Sequence, residues 1–411
     1  MSGAPLTLHL TAPVGSGGTL ARRLGARRGR AVPLSLTWPD TPGARFDGTA
    51  RALHGAEIHA TLQEGTLRQH RRTRELCHVT LSGPANLVLT AALSLAESGA
   101  AIAPAAIDHP PAPEPSPTPP VLTPDLPTGD AFAALTLHLA QAVLRQTPHI
   151  GMGTEPVHQM RVAVRRLRSA LGLFRRAVGG PEVDAAKNGL RVLMRLLGPA
   201  RDWDVFLTGL GPRVAQAVPD EATMPPLLAA AEAARAHAYT ALAAHLQGSG
   251  FRALCIRLVW LGQARPWTET THSRQTEALA TPLGSYAAQR LQRSWARMAA
   301  AGEDIADLPA PALHALRLRG KRMRYACEFF APLFPGRGAR RWMRRLAALQ
   351  EALGHLNDAA VAAGLMQALG PPGEGHAGGL VRGYVAAGTA ELRTPIAEAW
   401  HRLHRLAPFW D

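Results

Sequence analysis

The sequence predicts an α+β protein in which a small β-rich region precedes a larger all-helical domain. Three observations support this prediction: short alternating apolar segments early in the chain, a proline-rich stretch, and long Ala-, Leu- and Arg-rich segments over the remainder of the 411 residues. A chain of this length has room for two or three domains. We therefore expect a β-rich domain over residues 1–102, a linker over 103–129 and a helical domain over 130–411.

The β-rich region shows the period-two pattern of half-buried strands. Leu6, Leu8 and Leu10 alternate with polar residues, which predicts a first strand. Two further strands and one helix are predicted over residues 58–62, 76–81 and 86–98.

Proline marks the boundary between the two domains. Seven prolines fall between positions 110 and 120, a composition that favours a stiff, extended linker. After Asp130 the pattern is helical, with breaks such as Gly179-Gly180-Pro181 and Pro335-Gly336. The charge follows this boundary, since residues 1–120 carry 11 Arg against 8 acids and residues 121–411 carry 34 basic residues against 22 acids.

The net charge of +15 and the pI of about 11.2 predict attraction to polyanions. Lys187 and Lys321 are the only lysines among the 45 basic residues, and the guanidinium fork of arginine suits phosphate oxygens. A GC-rich genome would also enrich Arg, Ala, Gly and Pro, so composition leaves both explanations open. The placement of the arginines has to distinguish them.

The same totals predict a cytoplasmic protein with no membrane segment. No run approaches the roughly 18 apolar residues that cross a bilayer, and the first 13 residues lack the layout of a signal peptide. Cys77, Cys255 and Cys327 are far apart and in no metal-ligand spacing, which fits a reducing compartment.

An internal repeat organises the helical domain. The segment that begins at His158 returns 156 residues later at His314, and the offset holds without a gap as far as Val205 and Val361. The domain is therefore two copies of one unit, over about residues 130–265 and 283–411. The matched positions include His158/His314, Arg161/Arg317, Arg165/Lys321, Arg168/Arg324, Phe174/Phe330, Gly198/Gly354 and Asp202/Asp358.

Each copy carries a basic stripe along one helix. At 100° per residue the four basic positions of the first copy share a face about 80° wide, opposite an apolar face that would point into a bundle core. The stripe is His158, Arg161, Arg165 and Arg168 in one copy and His314, Arg317, Lys321 and Arg324 in the other, and the apolar residues are Val164, Leu167, Leu171 and Phe174. Like charges at these spacings repel one another unless a counter-charge compensates them. The alternative is a merely solvated basic face, which finding the stripe twice in register disfavours.

Each stripe begins with a histidine near the start of its helix, where the helix dipole favours an anion. His158 and His314 could therefore donate hydrogen bonds to phosphate, or could simply act as polar caps. No second His, Cys or acid stands three or four residues away, so we expect no metal site and no cofactor.

Other basic rows and the two Leu-Gly segments are less specific. Arg290, Arg293 and Arg297 share one helical face, as do Lys187, Arg191 and Arg195, and both rows could be solvated surfaces. The glycine and aspartate of each Leu-Gly-x-x-x-Asp segment, at 197–202 and 353–358, are expected to end one helix and cap the next. Asp202 and Asp358 could also buttress an arginine of the stripe.

These motifs resemble the CHAD family, the histidine α-helical domain. The resemblance rests on the two stripes together with the Leu197-Gly and Leu353-Gly segments, and it covers about residues 130–410. It implies two pseudo-symmetric four-helix bundles with a basic central cavity that binds inorganic polyphosphate. Carried over by position, the residues that would line this cavity are His158, Arg161, Arg165, Arg168, His314, Arg317, Lys321 and Arg324. Six neighbouring basic residues complete the predicted binding set: Arg166, Arg191, Arg290, Arg293, Arg297 and Arg322.

The N-terminal region resembles a degenerate CYTH domain, the triphosphate-tunnel fold. The resemblance rests on Trp38-Pro-Asp40-Thr41-Pro42 and on the segment Arg51–Glu57. The acidic first-strand signature of that family is replaced here by Thr7, His9 and Thr11, which removes the oxygen ligands that magnesium-dependent phosphoryl chemistry needs.

The sequence therefore predicts a non-catalytic polyphosphate-binding protein of the cytoplasm, associated with polyphosphate granules if these exist in the cell. Two alternatives stay open: a metal-dependent triphosphatase in the N-terminal domain, and binding of a nucleic-acid backbone. Aromatic residues are only 5 % of the chain and none interleave with the stripes, which disfavours base stacking.

Overall fold

The computed structural model describes residues 5–37, 44–54, 58–69, 72–98, 102–104, 119–269, 272–389 and 392–411. It has the predicted α+β architecture, with an antiparallel sheet in the N-terminal region and a helical domain after it. The strands are β1 (Leu6–Ala12), β2 (Arg27–Arg28), β3 (Val32–Thr37), β4 (Ala44–His54), β5 (His59–Gln69), β6 (Arg72–Gly83) and β7 (Ala103–Pro104).

The sheet has the strand order β2-β4-β5-β6-β1-β7, and β3 also pairs with β4. The predicted alternation is confirmed in β1, where Leu8 and Leu10 are fully buried. In register with them lie Val79 and Leu81 of β6, also fully buried. Each such side chain contributes about 1.5–3 kcal/mol by leaving water.

Two helices accompany the sheet, α1 (Gly17–Arg23) and α2 (Ala85–Ala96), the second close to the predicted 86–98. The helical domain begins at residue 128 rather than 130, and the sheet extends to residue 104 through β7. Of the predicted linker, residues 105–118 lie outside the described ranges.

The first half of the helical domain contains α3 (Thr128–Gln146), α4 (Glu155–Leu173), α5 (Pro181–Val205), α6 (Gly211–Ala217), α7 (Met224–Leu246) and α8 (Ser249–Ala264). After α9 (Ser273–Ala280), the second half contains α10 (Leu283–Ala301), α11 (Ala310–Phe330), α12 (Arg337–Ala368), α13 (Pro371–Glu374), α14 (His376–Thr389) and α15 (Arg393–His404). The long helices α3, α4, α5 and α8 pack around one core, and α10, α11, α12 and α15 repeat this arrangement. A fifth long helix in each half, α7 or α14, packs against α5 or α12.

Equivalent residues of the two halves meet at the centre of the domain, as a pseudo-two-fold requires. Pro127 and Pro282, which precede α3 and α10, form a backbone bridge with each other. The rings of Phe174 and Phe330 lie 5.8 Å apart, centroid to centroid. The helices α4 and α11, which carry the two stripes, also pack against each other. The duplication therefore brings the two stripes to one interface.

The predicted Gly/Pro breaks are confirmed before α5 and α12. Gly180 and Gly336 precede these helices with φ angles of 114° and 151°, a backbone region that residues with a Cβ rarely adopt. This sharp entry turns α5 back along α4, and α12 back along α11.

The sheet region and the helical domain are in contact. Helix α2 packs against α8, where the indole N–H of Trp260 donates to the carbonyl of Ala85 at 2.8 Å. The Arg252 side chain donates to the carbonyl of Ala96 at 3.0 Å. Both ends of α2 are thus tied to the helical domain.

Candidate functional site

Helix α4 separates its side chains as the sequence predicts. Val164, Leu167, Leu171 and Phe174 are all at most 2 % exposed and form the core side. The stripe lies on the opposite side, and His158 occupies the first turn.

The two stripes face one cavity of about 710 Å³ between the bundles. Residues from α4, α5, α11, α12 and α14 line it, together with the segment that follows α5. Seven pairs of positions at the offset of 156 contribute: His158/His314, Arg161/Arg317, Arg165/Lys321, Asp202/Asp358, Val205/Val361, Phe206/Ala362 and Gly209/Leu365. The cavity is therefore built from the repeat itself.

The lining carries more positive charge than its acids can neutralise. Besides the stripe residues, Arg201, Arg213 and His355 line the cavity. Among the described lining residues, six Arg or Lys side chains face two carboxylates, which leaves four positive charges without a partner. The closest ion pair joins Arg161 Nη2 and Asp202 Oδ1 at 3.9 Å, beyond hydrogen-bond distance. An anion would supply the missing charge.

Two of these arginines also lack hydrogen-bond acceptors. The Nε atoms of Arg165 and Arg317 are buried and have no partner within the described part of the chain. A buried donor without an acceptor costs about 1–3 kcal/mol. Phosphate oxygens entering the cavity would relieve part of this cost.

Burial in the cavity shifts the ionisation of its lysine. Burial and the neighbouring Arg317, Arg165 and Arg161 together lower the pKa of Lys321 to about 8, against the opposing effect of Asp358. Burial also lowers the pKa of Arg161, against the opposing effect of Asp202. Arginine stays charged at neutral pH in either case, so Lys321 is the cation whose charge the cavity can change.

Burial and the nearby Arg201 lower the pKa of His158, against the opposing effect of Glu155. At neutral pH its imidazole is therefore mostly uncharged but can still donate one hydrogen bond. Burial raises the pKa of Asp202, while Arg161, Arg201 and Lys321 oppose this. Both shifts reflect a site that excludes part of the solvent.

One wall of the cavity is apolar. Val205, Leu318 and Tyr384 line it although each is 41–50 % exposed, so large apolar side chains face open space here. Phe206 and Leu210 belong to the same wall and lie in a five-residue π-helical turn between α5 and α6. Such turns often occur at functional sites because they redirect side chains.

The prediction that the glycine and aspartate of the Leu-Gly segments end a helix is wrong. Helix α5 runs through Gly198, Pro199 and Asp202 without a break, and α12 runs through Gly354. A glycine and a proline cost a helix about 1 and 3 kcal/mol, but α5 packs against α4, α7 and α8, and that packing outweighs the cost. A Cβ at Gly198 would lie 3.7 Å from Arg161 Nη1, an ordinary van der Waals contact, so only a larger side chain here would press on this arginine.

Asp204, at the end of the first Leu-Gly segment, has a structural position. It is fully buried and accepts hydrogen bonds from Arg235 Nε at 2.7 Å and from the Tyr239 hydroxyl at 2.8 Å. These bonds fasten α7 to α5 outside the cavity lining.

The structure brings six of the fourteen predicted binding residues to the cavity: His158, Arg161, Arg165, His314, Arg317 and Lys321. The other eight lie outside its lining: Arg166, Arg168, Arg191, Arg290, Arg293, Arg297, Arg322 and Arg324. These eight side chains differ in their contacts and in their exposure. The Arg166 guanidinium lies over the Phe329 ring at 5.3 Å, and Arg324 pairs with Glu328 at 2.8 Å.

The remaining six divide by exposure. Arg168, Arg191, Arg297 and Arg322 are exposed, Arg293 is half-buried and Arg290 is buried. Periodicity along one helix identifies a face but does not show how far a cavity extends along it. It therefore cannot separate Arg168 and Arg324 from the stripe residues that line the cavity.

Sequence reasoning did not place Arg201, Arg213 and His355 in the site. Arg201 had one available signal, because it precedes Asp202, which is repeated in the second half. Arg213 reaches the cavity only because the π-helical turn redirects the chain before it. No sequence pattern indicates that.

The CYTH resemblance of the N-terminal region stays a prediction. Trp38–Pro42 and part of Arg51–Glu57 lie outside the described residues. In β1, Thr7, His9 and Thr11 lie in register with Ser82, Thr80 and His78 of β6. This patch therefore presents hydroxyl and imidazole groups rather than carboxylates.

The described ranges contain neither a candidate metal site nor a candidate membrane span. There, no three or more His, Cys, Asp or Glu side chains gather in a way that could hold a metal ion. Within the same ranges, no helix combines the length and apolar character needed to span a bilayer.

Fold and site together define a duplicated helical-bundle protein with a basic cavity between its two halves. The CHAD domain model matches residues 133–367, more than half of the chain, and the chain belongs to the CHAD family.

Two solved structures are similar to it. The crystal structure of the CHAD domain from the plant Ricinus communis has 29 % sequence identity and a TM-score of 0.61, over 72 % of this chain and 98 % of that chain. PptA from Streptomyces chartreusis has 17 % identity and a TM-score of 0.45, over 68 % and 99 %. No curated protein matches the chain.

Proposed function

We propose that this protein binds inorganic polyphosphate, or a polyanion of the same chemistry, non-covalently in the cavity and catalyses no reaction on it. The observation that carries the proposal is the charge of the lining, where six Arg or Lys side chains from both repeats face two aspartates among the described residues. A chain of phosphates would supply the missing negative charge along the whole cavity.

The residue types suit this ligand. A guanidinium group can donate two parallel hydrogen bonds to the oxygens of one phosphate, and charge-assisted bonds are about twice as strong as neutral ones. Arg165 and Arg317 have buried Nε atoms that lack acceptors, so the cavity is prepared for an anion before one arrives. The pairing of Arg161 with Asp202 at 3.9 Å is loose enough to be exchanged for a phosphate.

Chain length tests the proposal directly. A ligand that touches both stripes gains effective concentration from the second contact, which a short ligand cannot. In calorimetric titrations, affinity should therefore rise steeply from pyrophosphate to tripolyphosphate to long chains. It should also fall between about 50 and 200 mM salt, as counterion release requires for polyanions. Equal affinity for pyrophosphate and long chains, with little salt dependence, would contradict the proposal.

Nucleic acid is the first alternative ligand. A cavity of 710 Å³ is equivalent to a cube about 9 Å on a side, whereas the major groove of B-DNA alone is about 12 Å wide, so a duplex could contact only the rim. Polyphosphate should therefore bind more tightly than duplex DNA at equal salt. Tighter binding of the duplex would favour the alternative.

The second alternative is a triphosphatase in the N-terminal domain. The patch around Thr7, His9 and Thr11 offers no carboxylate for magnesium in the described register with β6. The full chain should therefore release no phosphate from tripolyphosphate or nucleoside triphosphates with magnesium or manganese. Metal-dependent release that disappears on His9→Ala would establish an enzyme instead.

The ligand also sets the location we propose, which is the cytoplasm and, where they form, polyphosphate granules. A fluorescent fusion should gather on granules, and the Arg165→Ala/Lys321→Ala fusion should stay diffuse. Identical distributions of the two fusions would argue against targeting through the cavity.

A further inference from the structure

Helix α10 is fastened to the end of α4 by one tyrosine. The Tyr286 hydroxyl donates to the carbonyl of Leu173, the last residue of α4, at 2.9 Å. Its ring stacks on Phe174 with centroids 5.6 Å apart. This contact places the next turns of α10 beside the residues that follow Phe174.

Four arginines gather at this junction. Arg175 and Arg176 follow Phe174 directly and are exposed. Arg290 and Arg293 lie one and two turns beyond Tyr286 on α10, and the charges of Arg175, Arg176 and Arg293 all act on Arg290. None of the four lines the cavity, and none forms an ion pair within the part of the chain that the structure describes. We call these residues the Arg290 cluster.

Arg290 is the unusual member of the cluster. It is only 8 % exposed, and its Nε atom is buried without a hydrogen-bond partner. Burial lowers its pKa, and the three neighbouring arginines lower it further, against the opposing effect of Tyr286. A buried charge without a partner is strongly unfavourable, and folded proteins rarely keep one.

The repeat shows that the fold does not need this arginine. Pro127 and Pro282 set an offset of 155 between α3 and α10, which makes Leu135 the counterpart of Arg290, and Leu135 is 5 % exposed. The counterparts of Arg175 and Arg176, at the offset of 156, are Ala331 and Pro332. At the offset of 155, the counterpart of Arg293 is His138. One half of the domain therefore fills this junction with three apolar residues and one histidine, and the other half fills it with four arginines.

We propose that the Arg290 cluster is a second anion site, specific for phosphate groups and separate from the cavity. Arg175, Arg176 and Arg293 are close enough for their charges to act on Arg290, and guanidinium groups can donate paired hydrogen bonds to the oxygens of a phosphate. Arg165 is the cavity residue nearest this end of α4, and the 10 positions from it to Arg175 correspond to roughly 15 Å along a helix, so one short ligand cannot occupy both sites. The phosphate could belong to a free oligophosphate or to a long chain that continues from the cavity along α4.

The cavity and the Arg290 cluster can be tested independently. In the Arg165→Ala/Lys321→Ala background, which removes two cavity contacts, titration with tripolyphosphate should still detect one binding event. Adding Arg290→Leu, the residue type of the other repeat, should weaken that event at least tenfold. The ligand-free Arg290→Leu protein should melt several degrees higher than the unmodified chain, because an unpaired buried charge has been removed.

A second variant keeps the test valid if Arg290→Leu fails to fold. Arg175→Gln/Arg176→Gln changes two exposed residues, and it should weaken tripolyphosphate binding at least fivefold in the same background. The matched control Arg340→Gln/Arg341→Gln removes equal charge from exposed positions of α12 and should change affinity less than twofold.

The two ligand arms distinguish the source of the phosphate. If Arg290→Leu lowers the affinity for tripolyphosphate, the site binds free oligophosphate. If Arg290→Leu, in the otherwise unmodified protein, lowers the affinity for long polyphosphate alone, the site binds a chain that extends from the cavity. If Arg290→Leu and Arg175→Gln/Arg176→Gln leave the affinity for both ligands unchanged, or if the control loses as much, the second site does not exist. The tripolyphosphate result does not depend on whether the cavity itself binds.

Discussion

The two stripes have the same positions on their helices but different surroundings. Arg165 of the first copy is permanently charged, whereas its equivalent, Lys321, has a pKa lowered to about 8 by burial and by three arginines. Arg168 is exposed and forms no ion pair in the described chain, whereas its equivalent, Arg324, pairs with Glu328 at 2.8 Å. Duplication thus gives a symmetric charge pattern, and the residues around it decide how much of that charge a ligand meets.

The halves also differ in how the fifth helix is held. In the first half, Asp204 binds Arg235 and Tyr239 of α7, whereas the equivalent position of the second half is Ala360. Burial and the hydrogen bond to Asp204 raise the pKa of Tyr239 to about 12. A buried carboxylate therefore holds the fifth helix at this position in the first half and not in the second.

The largest effect, on the free energy of unfolding, should come from removing Asp204 and so the bonds that hold α7. Asp204→Ala makes the first half like the second, but it leaves Arg235 without its main partner in a partly buried place. Removing one member of a buried pair costs about 3–5 kcal/mol, so denaturant unfolding should show a loss of that size. Glu232→Ala, which removes the exposed partner of Arg235, is the control and should cost less than about 1 kcal/mol. Equal losses would show that Asp204 is not the anchor of α7.

The second effect tests whether the stripes act together. Arg165→Ala/Lys321→Ala removes one equivalent cation from each copy. Each charge-assisted contact contributes about 1.5–3 kcal/mol, so affinity for long polyphosphate should fall at least tenfold while helicity and melting temperature stay unchanged. Arg168→Ala/Arg324→Ala removes the same charge outside the cavity and is the matched control. Unchanged affinity of the first variant would exclude the cavity as the binding site.

The third effect concerns pH and the one stripe position where the two copies carry different residue types, Arg165 and Lys321. Lys321 is protonated below its pKa of about 8 and loses its charge above it. A bound anion favours the protonated form, so binding takes up a proton and affinity should fall as the pH rises from about 7 to 9, by at most tenfold per pH unit for one proton.

Lys321→Arg isolates this contribution. It gives the second copy the permanent charge of the first and should remove the fall in affinity above pH 8. Any titration of the ligand itself is common to both proteins and cancels in the comparison. The same pH profile in both would assign the fall to another group.

The smallest effect compares the two helix-interior glycines. A Cβ at Gly198 would contact Arg161, whereas nothing lies within 4 Å of a Cβ at Gly354. Gly198→Leu should therefore displace the guanidinium and weaken binding about two- to fivefold, less than the tenfold that corresponds to about 1.4 kcal/mol. Gly354→Leu should leave affinity unchanged, and equal affinities of the two variants would contradict this account of Gly198.

The sequence by itself determined the α+β class, the duplication and the two helix faces. These features depend on local periodicity, which can be seen without knowing what packs against a helix. In α4 it places Val164, Leu167 and Leu171 on one side and Arg161 and Arg165 on the other. The offset of 156 then predicts that the second copy repeats the first, and the equivalent pairs of the cavity confirm the duplication.

Only the tertiary structure decided which charges converge and which helices continue. Arg201 and Arg213 join the cavity because packing places α5 and the π-helical turn beside α4, and helix α5 continues through Gly198 because its buried face outweighs the local preference to stop. The burial of Arg290 was also decided by the tertiary structure alone. The spacing of this arginine from Arg293 and Arg297 predicts a shared helix face, which could be solvated or could bind an anion. The burial of Arg290 arises only where Tyr286 fastens α10 to the end of α4. Contacts between distant segments depend on how whole elements pack, and local periodicity carries no information about that.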